Sequence, residues 1–198
     1  KHPKEERTYV MIKPDGVKRG LIGEVIKRFE LRGLKIVALQ MTHPTKEQMD
    51  NHYPKDKSWI QGLGNNTIRS YKEFEIPSTL MEDYGTEDPY KIGIKVRKWL
   101  VDFMTSGPIV KIVIEGLHAI KAVRKIVGQT IPAFADPGTI RGDFSIDSPD
   151  FANMKKRAIK NLIHASGNKE EAEHEIKLWF SPENIHEYKT LHDLHELG

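Results

Sequence analysis

The sequence predicts an α+β fold: a four-stranded antiparallel sheet covered by helices. Three observations carry this. Residues 9–12, 34–41 and 109–115 are short runs rich in apolar and β-branched residues, as strands are. Between them, apolar residues recur at helical spacing. The 198 residues are enough for one domain with a sizeable core, so a single domain over residues 1–198 is expected.

The elements follow in order. Tyr9, Val10, Met11 and Ile12 make a first strand, and Pro14-Asp15-Gly16 turns the chain. Over residues 21–32, Ile22, Val25, Ile26 and Phe29 mark one helix face, and Gly33 ends that helix. Residues 34–41 form a second strand, and Thr45 caps a short helix running toward Tyr53. Residues 54–94 are polar, with turn signals at Pro77, Gly85 and Asp88-Pro89 and a helical stretch near 67–74. They read as an inserted, mostly helical excursion. Helical spacing returns over 96–104, and the β-branched run 109–115 is a buried strand. Residues 118–127 form a helix with Ile120, Val123 and Val127 inward. Residues 129–150 hold three prolines and two glycines and read as a long functional loop without elements of its own. A second small insertion, partly helical, covers about 145–160. Leu162-Ile163 is a short fourth strand, and Asn168 caps a helix reaching Phe180, with Glu171 placed for a capping box. Without the insertions the order is βαββαβ, the ferredoxin-like arrangement, with its helices on one face of the sheet.

Composition narrows the chemistry. Lysine and arginine exceed aspartate and glutamate by 31 − 28 = 3, too few for a nucleic-acid coat but compatible with an anionic ligand in one cleft. The absence of cysteine excludes disulfides, thiolate nucleophiles and cysteine zinc sites. Residues 1–7 are charged and lack the apolar core of a signal peptide, and no apolar run matches a membrane span, so a cytoplasmic location is expected. There is no Gly-Lys dipeptide and hence no P-loop, and no HExxH, GxGxxG or GxSxG. His192 and His195 share helical spacing in a polar tail and read as a solvated face.

One stretch stands out. In Asn161-Leu162-Ile163-His164-Ala165-Ser166 an apolar run reaches an imidazole, and an acidic helix follows. Ala172, Ile176 and Trp179 define the inward stripe of that helix, and Glu175 sits at its edge while Glu170, Glu171 and Glu173 turn outward. A carboxylate there needs a partner. Paired with His164, it would fix the ring tautomer and leave the other nitrogen free to attack. The same pair also reads as a structural His–Glu contact. Lys13 at a strand end is either a cleft-edge cation or a solvated lysine. Arg124 flanks a helix stripe and is either directed along the sheet edge or a surface guanidinium. Thr130, after Gly128, is a hydroxyl donor or a cap. Arg141 stands between Gly138 and Gly142, where glycine lets backbone approach a ligand and arginine can fork phosphate oxygens; a turn closed by an Arg141–Asp143 pair is the alternative.

Taken together, five blocks in order closely resemble the nucleoside diphosphate kinase family. They are Lys13-Pro14-Asp15-Gly16-Val17, Arg19-Gly20-Leu21-Ile22-Gly23, Pro137-Gly138-Thr139-Ile140-Arg141-Gly142-Asp143-Phe144, Asn161 to Ser166, and Glu173-His174-Glu175-Ile176. The resemblance covers roughly residues 6–53 and 99–182. It implies a ping-pong transfer in which His164 takes the γ-phosphate of a nucleoside triphosphate and passes it to a nucleoside diphosphate. It further implies that Lys13, Arg124, Thr130 and Arg141 bind the phosphates and Asn161 the ribose and phosphate end. Glu175 would orient His164, and Tyr53 would support Lys13 and the histidine. Mg²⁺ is implied on the nucleotide phosphates without a protein metal cage, and a homo-oligomer, commonly a hexamer, with contacts in residues 129–150. The chain departs from the pattern in the long 54–94 excursion, in the expanded 145–160 stretch, and at Gly167 where many members carry aspartate. Trp59 is the aromatic available to stack on the base.

Two other readings compete. A nucleic-acid-binding ferredoxin-like sheet would carry aromatics on its central strands, where this chain offers Tyr9, so no specific nucleic acid is expected. An inactive family member would not need His164, Lys13 and Arg141 together.

Overall fold

The computed structural model describes residues 4–73 and 75–196, except the side chains of His195 and Glu196. Phe74, the end of the expected 67–74 helix, and the His195 ring lie outside the described residues. β1 (Glu5–Ile12) leads directly into α1 (Pro14–Lys18), a short helix where a turn was expected. Pro14 suits the first helical position, where its missing N–H would have no helical partner. α2 (Ile22–Leu31) and β2 (Lys35–Thr42) follow as the periodicity indicates. Thr45 and Gln48 close a reciprocal capping box on α3 (Lys46–His52).

The excursion is helical, as expected: α4 (Lys57–Glu73), α5 (Leu80–Tyr84) and α6 (Pro89–Met104), the last absorbing the 96–104 helix. α4 and α6 cross with backbones in contact. A Cβ on Gly64 would collide with the Pro89 carbonyl, and one on Gly93 with the Ile60 carbonyl. β3 (Ile109–Leu117) and α7 (Ala119–Val127) come next. Residues 129–150 are more ordered than expected. A 3-10 turn at Pro132–Phe134 precedes α8 (Ile140–Phe144), where the Thr139 hydroxyl accepts the Gly142 N–H. α9 (Pro149–Met154) supplies the helix of the second insertion. β4 (Ile163–Ala165) and α10 (Lys169–Trp179) follow, and α11 (Leu191–Glu196) ends the described chain. At the start of α10, Glu171 does not reach back to the Asn168 N–H. Its carboxylate takes the Gly167 N–H at 2.7 Å and the Asn168 side-chain amide at 3.1 Å.

The sheet order is β2-β3-β1-β4, every neighbouring pair antiparallel. The two central strands explain the coverage. On β1 and β3, alternate residues enter two different cores. Val10, Ile12, Val110, Ile112 and Ile114 pack with α2 and α7. Tyr9, Met11, Ile109 and Val113 pack on the other face with α3, α6 and α10. Helices on one face alone is therefore too few. Central strands that read as nearly continuous apolar runs need cover on both faces.

Candidate active site

β4 brings the functional residues to β1. His164 pairs with Met11 in the sheet, so it stands within the strand rather than after it. The chain enters β4 through Leu162 at φ 68°, a left-handed conformation uncommon for a branched residue. Two hydrogen bonds and the space at Gly16 hold it. Lys13 N–H donates to the Leu162 carbonyl at 2.8 Å, the Leu162 N–H donates to Asp15 Oδ2 at 3.0 Å, and Gly16 leaves room. A Cβ at Gly16 would lie 2.8 Å from Ile12 Cγ2 and 3.0 Å from the Leu162 carbonyl oxygen. Strain of this kind persists where surrounding contacts over-determine it.

Glu175 lies behind the histidine. Nε2–H of His164 donates to Glu175 Oε1 at 2.7 Å, and Ser166 Oγ donates to Glu175 Oε2 at 2.5 Å. An ionised carboxylate only accepts, so the imidazole proton is assigned to Nε2 and Nδ1 is left with a free lone pair. Burial pushes the Glu175 carboxyl up, but the hydrogen bond and charge of His164, with help from His52 and Ser166, outweigh it and hold the group below its ordinary range. His52, at the end of α3, stands edge-on to His164 with ring centroids 4.9 Å apart. Its Nδ1 accepts from Trp179 Nε1 at 3.3 Å, and burial, then the charge of His164, pull it down to about 3. It is neutral at any working pH.

The cations line the cleft that His164 also lines. Lys13 Nζ donates to Asn161 Oδ1 at 2.7 Å, and Asn161 Nδ2 donates to the Thr130 carbonyl at 2.9 Å. Burial, then the neighbouring charge of Arg141, draw the Lys13 ammonium down to about 8, against the opposing pull of Asp15. Arg141 is buried, and its fork is built into the backbone. It donates to the carbonyls of Asn161 at 3.1 Å, Gly128 at 2.9 Å and Ile163 at 2.6 Å. One N–H on each terminal nitrogen remains for a ligand. Burial, then Arg124, lower it to about 10, so it stays charged near neutrality. The Arg141–Asp143 alternative is not formed. Asp143 instead accepts from Arg28 at 2.6 Å and from the Gly138 N–H at 2.7 Å.

Lys13, Tyr53, Arg124, Thr130, Arg141, Asn161 and His164 all line one cleft of about 480 Å³, with Glu175 directly behind His164. Arg124 and Thr130 are exposed to the cleft. Tyr53 lies edge-on to His52 at 4.9 Å between centroids, and its phenol is pushed well up, first by burial and then by Glu175. Trp59 packs on Tyr53 at 6.0 Å and is not part of the lining, whereas Trp99 and Tyr84 are. His52, Ser166 and Asp15 carry weight that the sequence reading did not assign. Spacing could have pointed to two of them, Ser166 and His52. Ser166 follows His164 by two residues, just past the end of β4, and His52 follows Met49 by three within α3, so spacing could place each beside its neighbour.

Among the described residues, ligand atoms of His52, His164 and Glu175 lie within 4.8 Å of one another. That set is rich in imidazole, whereas Mg²⁺ prefers oxygen ligands. Among the described residues, the one carboxylate in the cleft lining is that of Glu171, already engaged by Gly167 and Asn168.

A carboxylate-held imidazole beside buried cations on a ferredoxin-like sheet is an arrangement suited to phosphoryl transfer through the histidine. Similarity then supplies the family. The family model for nucleoside diphosphate kinase matches residues 6–61 and 76–185. A nucleoside diphosphate kinase of Pyrobaculum aerophilum is 47% identical over 180 residues, 91% of this chain and 97% of that one. One of Archaeoglobus fulgidus is 42% identical, across 91% of this chain and 89% of its own. The crystal structure of an NDP kinase from Pyrobaculum aerophilum superposes with a TM-score of 0.87 at 45% identity, covering 92% of this chain and all of that one. A nucleoside-diphosphate kinase of Borrelia burgdorferi, solved as a transition-state mimic with vanadate and ADP, gives 0.75 at 35% identity over 96% and 95% of the two chains. The chain belongs to the nucleoside diphosphate kinase family. Between the two matched segments, residues 62–75 are unmatched; residues 62–73 of these are most of α4.

Proposed function

We propose that the chain is a ping-pong nucleoside diphosphate kinase whose covalent carrier is His164. The observation that carries this reading is the 2.7 Å bond from His164 Nε2–H to Glu175 Oε1, which leaves the Nδ1 lone pair uncommitted. In the first half-reaction Nδ1 attacks the γ-phosphorus. The bond from that phosphorus to the bridging oxygen breaks, and its electron pair leaves with the nucleoside diphosphate. Positive charge appears on the ring as the N–P bond forms, and the adjacent Glu175 carboxylate offsets it. In the second half-reaction a terminal oxygen of an acceptor diphosphate attacks the same phosphorus, and the N–P electron pair returns to Nδ1. A P–N link suits such a relay because it remains reactive enough not to trap the phosphoryl group.

Lys13, Arg124 and Arg141 neutralise the phosphates, Thr130 adds a hydroxyl, and Asn161 binds the ribose and phosphate end while steering Lys13. Tyr53 supports Lys13 and His164 from the α3 end. Mg²⁺ fits as a passenger on the nucleotide phosphates, since the cation-lined cleft supplies no free carboxylate cage; there it would share in neutralising the transferred charge. We further propose one domain over residues 1–198, a cytoplasmic location, and a homo-oligomer of hexamer type. Among the described residues no helix is long and apolar enough to cross a membrane.

Initial-rate kinetics with ATP and GDP test the reaction class. Parallel double-reciprocal lines are expected, because the first product leaves before the second substrate binds. Intersecting lines would contradict the phosphoenzyme route.

A further inference from the structure

Among the described residues Lys13 and Lys35 are the buried lysines, and they are held differently. Lys35 Nζ lies 3.0 Å from Glu115 and 3.2 Å from Asp193. Burial lowers its pKa, but the hydrogen bonds and charges of those acids outweigh burial and keep it above the ordinary range. Lys13 forms no ion pair among the described residues. Its Nζ donates to a neutral amide, Asn161 Oδ1, at 2.7 Å. The Asn161 carbonyl accepts from Arg141 Nε at 3.1 Å, so Lys13 and Arg141 sit at two ends of one residue. Burial, then Arg141, bring Lys13 down to about 8, and roughly a quarter of the chains carry the free amine at pH 7.5.

A free amine is a nucleophile. This one shares its cleft with Arg124, Thr130 and Arg141, which suit phosphate. An electrophile drawn there needs a phosphate close to its reactive carbon, because Lys13 stands among the phosphate-binding groups. The mixed anhydride of a carboxylic acid and phosphoric acid meets that condition. Its carbonyl carbon is one bridging oxygen away from phosphorus, and the phosphate is also the leaving group. Bound phosphate favours the ammonium and reduces the free amine by about 10- to 1,000-fold. Proximity outweighs that loss, since effective molarities of well-placed groups reach about 10⁵ M or more.

We propose that Lys13 is a modification site for acyl phosphates, which acylate it inside the phosphate-binding cleft. The Nζ lone pair attacks the carbonyl carbon. The bond from that carbon to the bridging oxygen breaks, and its electron pair leaves with the phosphate, which takes up the proton that nitrogen loses. The product is a neutral amide, so acylation removes one of the cations that hold the nucleotide and weakens nucleotide binding. The proposal rests on the cleft being the nucleotide site.

The test uses acetyl phosphate, with acetylation of each lysine followed over time by peptide mass spectrometry. The wild type is compared with His164→Ala, in which the histidine cannot consume the reagent by attack on phosphorus. In both proteins Lys13 should react about tenfold or more faster than the mean of the exposed lysines, a small part of the available proximity. Saturating ADP should slow Lys13 to that mean. A Lys13 rate no greater than the mean, or a fast rate that ADP leaves unchanged, would overturn the proposal. If ADP still binds by calorimetry, the kinase reading stands in either case. Failure of ADP to bind would overturn the nucleotide site itself, and this proposal with it.

Discussion

Glu175 Oε1 accepts the Nε2–H of His164 at 2.7 Å, and the other oxygen of the same carboxylate accepts the Ser166 hydroxyl at 2.5 Å. One buried side chain thus sets the ring orientation, the tautomer and the charge next to the ring. Ser166 aims the carboxylate, because its hydroxyl fixes the second oxygen and with it the carboxylate plane.

Glu175→Gln should slow phosphoryl transfer to the protein. The amide keeps the shape but removes the charge that offsets the developing imidazolium. A hydrogen bond to a charged group contributes roughly 1.5–3 kcal/mol, so the single-turnover rate should fall about 10- to 100-fold. Rapid-quench measurement of phosphoenzyme formation checks this. A rate within twofold of wild type would show that Glu175 is not the orienting group.

Lys13 should give the nucleotide affinity a basic limb. Burial and Arg141 lower its ammonium to about 8 in the free protein. Above that pH the lysine is neutral and attracts phosphate less. Bound phosphate in turn favours the charged form, so the bound pKa is higher than the free one. ADP dissociation constants should therefore rise as pH passes 8, and a Lys13→Met variant should lose that limb. Calorimetry from pH 6.5 to 9.5 decides the point.

His52 should make the fold acid-sensitive. Its folded value of about 3 lies below the ordinary 6.5, so between those values the unfolded chain binds a proton that the folded chain does not. Stability is therefore complete above pH 6.5 and declines as pH falls toward 3. His52→Gln removes that titration. Its acid-unfolding midpoint, followed by circular dichroism, should lie at lower pH relative to its own neutral-pH stability. An unchanged midpoint would assign the acid sensitivity to other groups.

Much of this site was legible in the sequence, and the reasons differ by residue. His164 and Glu175 could be paired because a strand end and a helix stripe are local patterns. Lys13, Arg141 and Asn161 stood out through the blocks that resemble the family, Arg124 and Thr130 through the wider resemblance, and all five line one cleft. The bracing was not legible, because it crosses the fold. Arg141 binds carbonyls of Asn161, Gly128 and Ile163, and Asp15 holds the Leu162 N–H, a contact between residues 147 apart. The second helical layer was missed because the βαββαβ order by itself places helices on one face, while Tyr9 and Met11 pack on one side of the sheet and Val10 and Ile12 on the other. Trp59 looked available for base stacking because sequence gives aromatic character but not direction.

Arg141→Lys should destabilise the fold as well as weaken phosphate binding. A single ammonium cannot reach three carbonyls arranged around a planar fork. Leaving buried acceptors unpaired costs about 1–3 kcal/mol each, and for a chain of this size each kcal/mol lowers the melting temperature by roughly 2–4 °C. Thermal unfolding of the variant should show a clear downward shift even without nucleotide. A shift only in nucleotide affinity would mean that the fork is not structural.

The most direct test of the central claim is transfer of label from [γ-³²P]ATP to the protein. The account predicts acid-labile, alkali-stable label approaching one per chain, absent in His164→Ala, and discharged by added GDP with formation of labelled GTP. No label on the wild type, or label that survives in His164→Ala, would contradict it.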